Sequence, residues 1–217
     1  FKLSKTMKTI YTSAALLLFT FSFGQQLLIT SSDGKYGVIN DNGVEIIPAK
    51  YTSIDEFGKD HADWTKVGLN NMYGYIDKSG KIMVEPKYDA IESFNKKNGG
   101  WAVVQKAGKL GFIDDSGKEV VPPIYDKVGN FNELNKDWAL VESAGLKGFV
   151  NKEGYLVVPV KYTEIGKFDG VKKNWAVVKD RRDKMGFIDK SGKEIIAVSY
   201  DNVETFTKKT QVLADVD

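Results

Sequence analysis

The chain has 217 residues, 42% hydrophobic and 28% charged, with no cysteine, one histidine and four tryptophans. Lacking cysteine, it excludes a disulfide framework, a thiolate metal site, an iron–sulfur cluster and a cysteine nucleophile; a single histidine, His61, excludes His–His metal pairs. Twenty-one glycines against five prolines, with no G-X-Y period, read as spaced turns of a globular chain.

The N-terminal segment is of a different kind. Lys2, Lys5 and Lys8 precede the apolar run Ala14 to Phe23, and small Gly24 stands before Gln25. A basic start, a short apolar stretch and a small-residue end predict a helical signal peptide over residues 7–24, cut between Gly24 and Gln25. The run is too short to cross a bilayer, which takes about 20 residues. Met7 reads as the start, with Phe1 to Thr6 upstream of it. Residues 1–24 hold three of the 31 basic residues and no acid, leaving 28 basic against 29 acidic residues in 25–217. A net charge near −1 offers nucleic acid no strong field, so none is expected as a partner.

From there the chain repeats. Gly37, Gly74, Gly111, Gly148 and Gly186 are spaced by 37, 37, 37 and 38 residues, and six residues after each comes Gly43, Gly80, Gly117, Gly154 and Gly192. Fourteen after each anchor stands Tyr51, Tyr88, Tyr125, Tyr162 and Tyr200; twenty after, Phe57, Phe94, Phe131, Phe168 and Phe206. Trp64, Trp101, Trp138 and Trp175 follow at twenty-seven, with Leu213 in the fifth slot. A fixed period of this size signals a repeat architecture. Within a unit, Trp101–Val104 predicts a first strand, a connection containing Gly108 follows, and Gly111–Asp114 predicts a second strand. Asp114 to Gly117 is a tight turn, and Lys118–Pro122 a third strand that proline ends. Tyr125–Val128 is an edge segment, a weak fourth strand at most.

The fold expected is all-β: tandem three-stranded antiparallel meanders in an open superhelical array, with a closed β-propeller-like ring as the alternative. Residues 25–217 form the array, in units of about 27–63, 64–100, 101–137, 138–174 and 175–212, with a partial unit at 213–217. Leu213–Val216 enters a further unit, so the chain reads as a fragment of a longer array.

The segments Trp101–Asp126 and Trp175–Asp201 carry the pattern, W-A-V-V and then G-F-I-D-x-S-G-K-E-[IV]-[IV], most clearly. It resembles the WG repeat of secreted bacterial proteins. The resemblance implies an all-β array with an interaction role and supplies no catalytic residues. The family's namesake tryptophan before the first glycine is absent; Tyr36, Tyr73, Leu110, Lys147 and Met185 occupy that position.

Candidate chemistry is sparse. Asn40, Asp77, Asp114, Asn151 and Asp189 form a row open to a calcium reading, yet each precedes a turn glycine, where the side chain caps its own backbone. Asp89, Asp126 and Asp201, with Thr52 and Thr163 in the other units, read as backbone caps too. His61 reads as an exposed loop residue. The tryptophans begin apolar strands and read as core; stacked in a row, they are also what a sugar-binding face needs. Arg181 and Arg182 fall in the one-residue insertion, where repeats often place binding residues; a solvated hairpin tip is the plain reading. No catalytic residue, metal or cofactor is expected. The function expected is a non-catalytic scaffold, secreted, periplasmic or at the cell surface, binding a protein or cell-envelope partner. The alternative is a carbohydrate- or peptidoglycan-binding module that uses exposed aromatics.

Overall fold

The computed structural model describes residues 19–20, 26–31, 33–95, 99–203 and 214–215. They divide into two compact units, Phe1–Lys87 and Tyr88–Asp217. Every regular element among them is a β-strand. The first sheet holds β1 (Phe19–Thr20), β2 (Gln26–Thr30), β3 (Tyr36–Asn40) and β4 (Glu45–Tyr51). The second holds β5 (Ser53–Ile54), β6 (Trp64–Leu69), β7 (Met72–Asp77) and β8 (Ile82–Tyr88). In the second unit come β9 (Ala90–Ile91), β10 (Ala102–Lys106), β11 (Lys109–Ile113) and β12 (Glu119–Tyr125). A fourth sheet has β13 (Lys127–Val128), β14 (Trp138–Ser143), β15 (Leu146–Asn151) and β16 (Leu156–Tyr162). The fifth has β17 (Glu164–Ile165), β18 (Trp175–Lys179), β19 (Met185–Asp189) and β20 (Glu194–Tyr200), and β21 (Asn202–Val203) pairs with β22 (Ala214–Asp215). Strands lie in chain order in each sheet, all antiparallel.

The expected three-stranded meanders are present, except that proline does not end the third strand, which runs on through Pro122 and Pro123 to Tyr125 as an outer strand; each sheet also gains a fourth strand. That strand is two residues long and comes from the end of the preceding sequence unit: Lys127 and Val128 face Glu142 and Val141, and Glu164 and Ile165 face Lys179 and Val178. It covers the ladder that the tryptophan-bearing strand would otherwise leave open, and it ties each unit to the next. In the first sheet Phe19 and Thr20 take this place, facing Leu28 and Leu27. The expected N-terminal helix is therefore corrected at these two residues. The edge of β2 offers them a ladder, and both residue types suit a strand. The rest of 7–24, with Gly24 and Gln25, lies outside the described residues, as do Phe206 and Leu213.

The anchor glycines have a steric cause. Opposite Gly148 the partner strand carries extra residues, since Lys147 faces Tyr162 while Phe149 faces Val158. This bulge presses the outer strand's backbone onto the glycine: a Cβ at Gly148 would stand 2.5 Å from the Val158 carbonyl oxygen and 2.9 Å from the Val160 nitrogen. Gly37 and Gly186 meet the same obstacle at 2.6 Å, from Ile47 and Ile196.

In the second, third and fourth sheets the hairpins between the first two long strands are two-residue turns with positive φ at both positions: Asn70 and Asn71, Ala107 and Gly108, Ala144 and Gly145. Such turns match the strand twist and favour asparagine then glycine. Alanine at φ 50° is the misfit. Ala107→Asn and Ala144→Asn should each stabilise the chain by about 0.5–1 kcal/mol, read as a higher urea midpoint.

The two central strands of a sheet are buried on both faces, which explains their nearly continuous apolar runs. Trp138 and Phe149 pack with Val158, Tyr162 and Phe168, and on these lie Ala176, Val178 and Ile188 of the next sheet. Trp101, Phe112, Val121, Tyr125 and Phe131 likewise meet Ala139, Val141 and Val150. In the first unit, Val38, Ile47 and Tyr51 meet Val67 and Ile76. Each core thus lies between consecutive sheets. The outer strands β4, β8, β12 and β16 share one alternation of buried and exposed residues, and their exposed positions differ in side chain from unit to unit.

Candidate interaction surface

The aspartate row is turn chemistry. Asp77 Oδ1 accepts the amides of Ser79 and Lys81 at 2.8 and 3.0 Å, and Asp114, Asp189, Asn40 and Asn151 accept the same pair of amides in their turns. The Ser79 and Ser191 hydroxyls, with these amides, hold Asp77 and Asp189 below the usual carboxylate range. Gly43 and Gly192 close the turns at φ of 74° and 80°. The second row caps hairpins: Asp89 accepts the Ala107 amide at 2.6 Å and Asp126 the Ala144 amide at 2.7 Å. Lys109 pairs with Asp126 and Lys184 with Asp201. Where Thr163 replaces the acid, its hydroxyl donates to the Lys179 and Asp180 carbonyls.

The aromatic series are packed. Trp64, Trp101 and Trp138 are buried, and Trp175 is half-buried with the Lys172 ammonium 3.8 Å above its ring. Trp101 meets Phe131 edge-on at 4.8 Å and Trp138 meets Phe168 at 5.6 Å, an arrangement aromatic quadrupoles favour. Tyr51, Tyr88, Tyr125 and Tyr162 are buried, while Tyr200 is half-buried. His61 departs from expectation: it is half-buried, its ring stacked on Trp64 at 3.9 Å. Beside it, Asp60 Oδ2 accepts from the Lys66 ammonium and the Tyr75 hydroxyl, both at 3.2 Å. Tyr75 fills the slot of Phe112, Phe149 and Phe187; burial, then the Asp60 charge, pushes its hydroxyl far up. The loop acid satisfies a tyrosine where three other units have phenylalanine and the first has Val38.

Two tyrosine–glutamate bonds link successive repeats, and sequence spacing alone does not display them. Tyr88 donates to Glu119 at 2.6 Å and Tyr162 to Glu194 at 2.9 Å. Lys161 also pairs with Glu194 at 2.6 Å, and together Lys161 and the tyrosine hydroxyl hold Glu194 below its ordinary range. A carboxyl depressed in the folded state adds stability above its unfolded pKa of about 4.3 and loses it as pH falls through the lower folded value. Glu194→Gln should therefore flatten the acid side of the stability–pH curve between about pH 5 and pH 3. The pair is partly exposed, so the difference should stay near or below about 1 kcal/mol.

The insertion arginines are engaged locally. Arg182 makes a two-pronged contact with Asp180 at 2.8 and 2.9 Å, and Arg181 donates to the Ala144 carbonyl of the preceding hairpin at 3.3 Å. The large apolar side chains that the structure leaves outward are unequal among units. Ile124, Tyr155 and Leu156 are 55%, 69% and 49% exposed. Aligning the units displays the signal: the two residues after the turn glycine are Lys118-Glu119 and Lys193-Glu194 in the neighbours, but Tyr155-Leu156 here. No helix among the described residues is long and apolar enough to cross a membrane.

No curated protein sequence matches the chain. Among solved structures it is similar to Kluyveromyces lactis Hsv2, at 12% identity and TM-score 0.31, over 79% of this chain and 61% of that one. It is also similar to BamB from Moraxella catarrhalis, at 12% identity and TM-score 0.30, over 89% of this chain and 64% of that one. The chain thus spans less than two thirds of the length of each. The WG containing repeat matches at residues 36–63, 73–109, 111–145, 148–181 and 185–210. With five tandem matches laid over the sheets described above, the chain belongs to the WG containing repeat family.

Proposed function

We propose that the chain is a non-catalytic scaffold, exported with cleavage between Gly24 and Gln25, that binds a protein partner outside the cell or in its envelope. The observation that carries this reading is a constant frame with a varying surface. The residues that recur from unit to unit are spent on cores, turns and caps, while the outer strands differ in side chains. Stacked repeats present such outer strands as an extended surface. The carboxylates that recur are tied to backbone amides or lysines, which leaves them poor acids or bases. The glycan alternative has weaker support, because Trp64, Trp101 and Trp138 pack inside.

Two measurements test this. Mass spectrometry of exported protein should find a chain starting at Gln25, and a retained N-terminus would contradict export by this route. Cross-linking of the native chain in envelope preparations should yield a reproducible protein partner. Binding confined to oligosaccharides on a glycan array would favour the alternative, and substrate turnover would overturn the scaffold reading.

A further inference from the structure

Lys161 of one repeat and Glu194 of the next form an ion pair at 2.6 Å across the outer strands. One repeat earlier the same two positions hold Ile124 and Leu156, both exposed. Tyr155, the most exposed large apolar side chain described, stands next to Leu156. The turns that carry these residues rest on the preceding outer strand: a Cβ at Gly154 would fall on the Val120 carbonyl, and one at Gly192 on the Val157 carbonyl. This stacking sets Lys118, Tyr155 and Lys193, the same position in three successive units, in one row. Lys118 and Lys193 are exposed, and neither makes an ion pair among the described residues.

We propose that Ile124, Tyr155 and Leu156, flanked by Lys118 and Lys193, are a docking surface for an extended acidic peptide segment that anchors one apolar side chain. This rests on the scaffold reading and names its surface. The three side chains expose on the order of 300 Å² of apolar area, well under the roughly 800 Å² per partner of a stable dimer. That area fits one anchor, not a second copy of the chain. The charge balance selects the partner's sign: Glu119 and Glu194 are already bonded to tyrosines, and exposed Glu153 in the Tyr155 turn offsets only one of the two lysines that face solvent. Pro122 and Pro123 in β12 and Pro159 in β16 lack N–H groups. Recognition therefore falls on side chains and not on strand addition.

The test uses the full chain and a labelled peptide with a central leucine or phenylalanine flanked by aspartate and glutamate, in fluorescence polarisation. The double variant Tyr155→Lys, Leu156→Glu restores the pair that neighbouring repeats carry, so it should fold as the parent does, checked by circular dichroism. It should weaken binding roughly tenfold or more, and added salt or Lys118→Glu with Lys193→Glu should weaken it as well. Equal binding by the double variant would overturn this surface while leaving a scaffold that binds elsewhere. Equal binding of a peptide with lysine flanks, or no binding at millimolar peptide, would overturn the proposal too. So would association with anionic phosphatidylglycerol vesicles in place of the peptide, or a dimer in sedimentation that the double variant abolishes.

Discussion

Replacing Gly148 with alanine should destabilise the chain by about 3 kcal/mol or more, a loss typical of overpacking a backbone that cannot yield. The new Cβ would stand 2.5 Å from the Val158 carbonyl oxygen and 2.9 Å from both the Val160 nitrogen and its side chain. Two of those three atoms are main chain, so no rotamer change relieves them. Gly145 is the control. It lies three residues away at φ 73°, with nothing within 4 Å of its missing Cβ, and Gly145→Ala should cost only about 1–2 kcal/mol through its backbone conformation. Urea denaturation of the two variants reads the difference, and equal losses would mean that the anchor is there for flexibility and not for close approach.

Trp138→Ala should lose about 3–5 kcal/mol. The indole contacts Phe149 at 5.5 Å and Phe168 at 5.6 Å and lies in the core between the fourth and fifth sheets. Its removal opens a cavity that sheet backbones cannot collapse into. Because each core is shared by two sheets, the loss should appear in both neighbours, as amide exchange faster in β14–β15 and in β18–β19. Trp138→Phe keeps a ring at the site and should recover half or more of the loss. A surface tryptophan would show neither effect.

Much of this frame was legible in the sequence, because its causes are local or periodic. The run Trp-Ala-Val-Val reads as a strand, Asp-x-Ser-Gly as a turn, and their recurrence as stacking. The four-stranded sheet was less legible, since Lys127–Val128 is two residues long and its strand character comes only from the edge of β14. The bond from Tyr162 to Glu194 joins residues 32 apart, and no spacing rule within one unit contains it. His61 looked exposed because its loop is polar, and only the fold lays Trp64 beneath it. The outward Tyr155 and Leu156 were visible as letters that differ from the Lys-Glu of the two neighbouring units. Their meaning came from the structure, which shows Lys161 and Glu194 paired where Ile124 and Leu156 are not.

The intrinsic tryptophan emission of the folded chain tests most directly whether the repeated rings are frame or binding surface. With Trp64, Trp101 and Trp138 buried and Trp175 covered by Lys172, the emission should be blue-shifted and resistant to acrylamide. It should also stay unchanged when peptidoglycan fragments or oligosaccharides are added to saturation. Emission at the position of solvated indole, open to acrylamide and shifting with added oligosaccharide, would contradict a packed frame and make the tryptophan row the binding face.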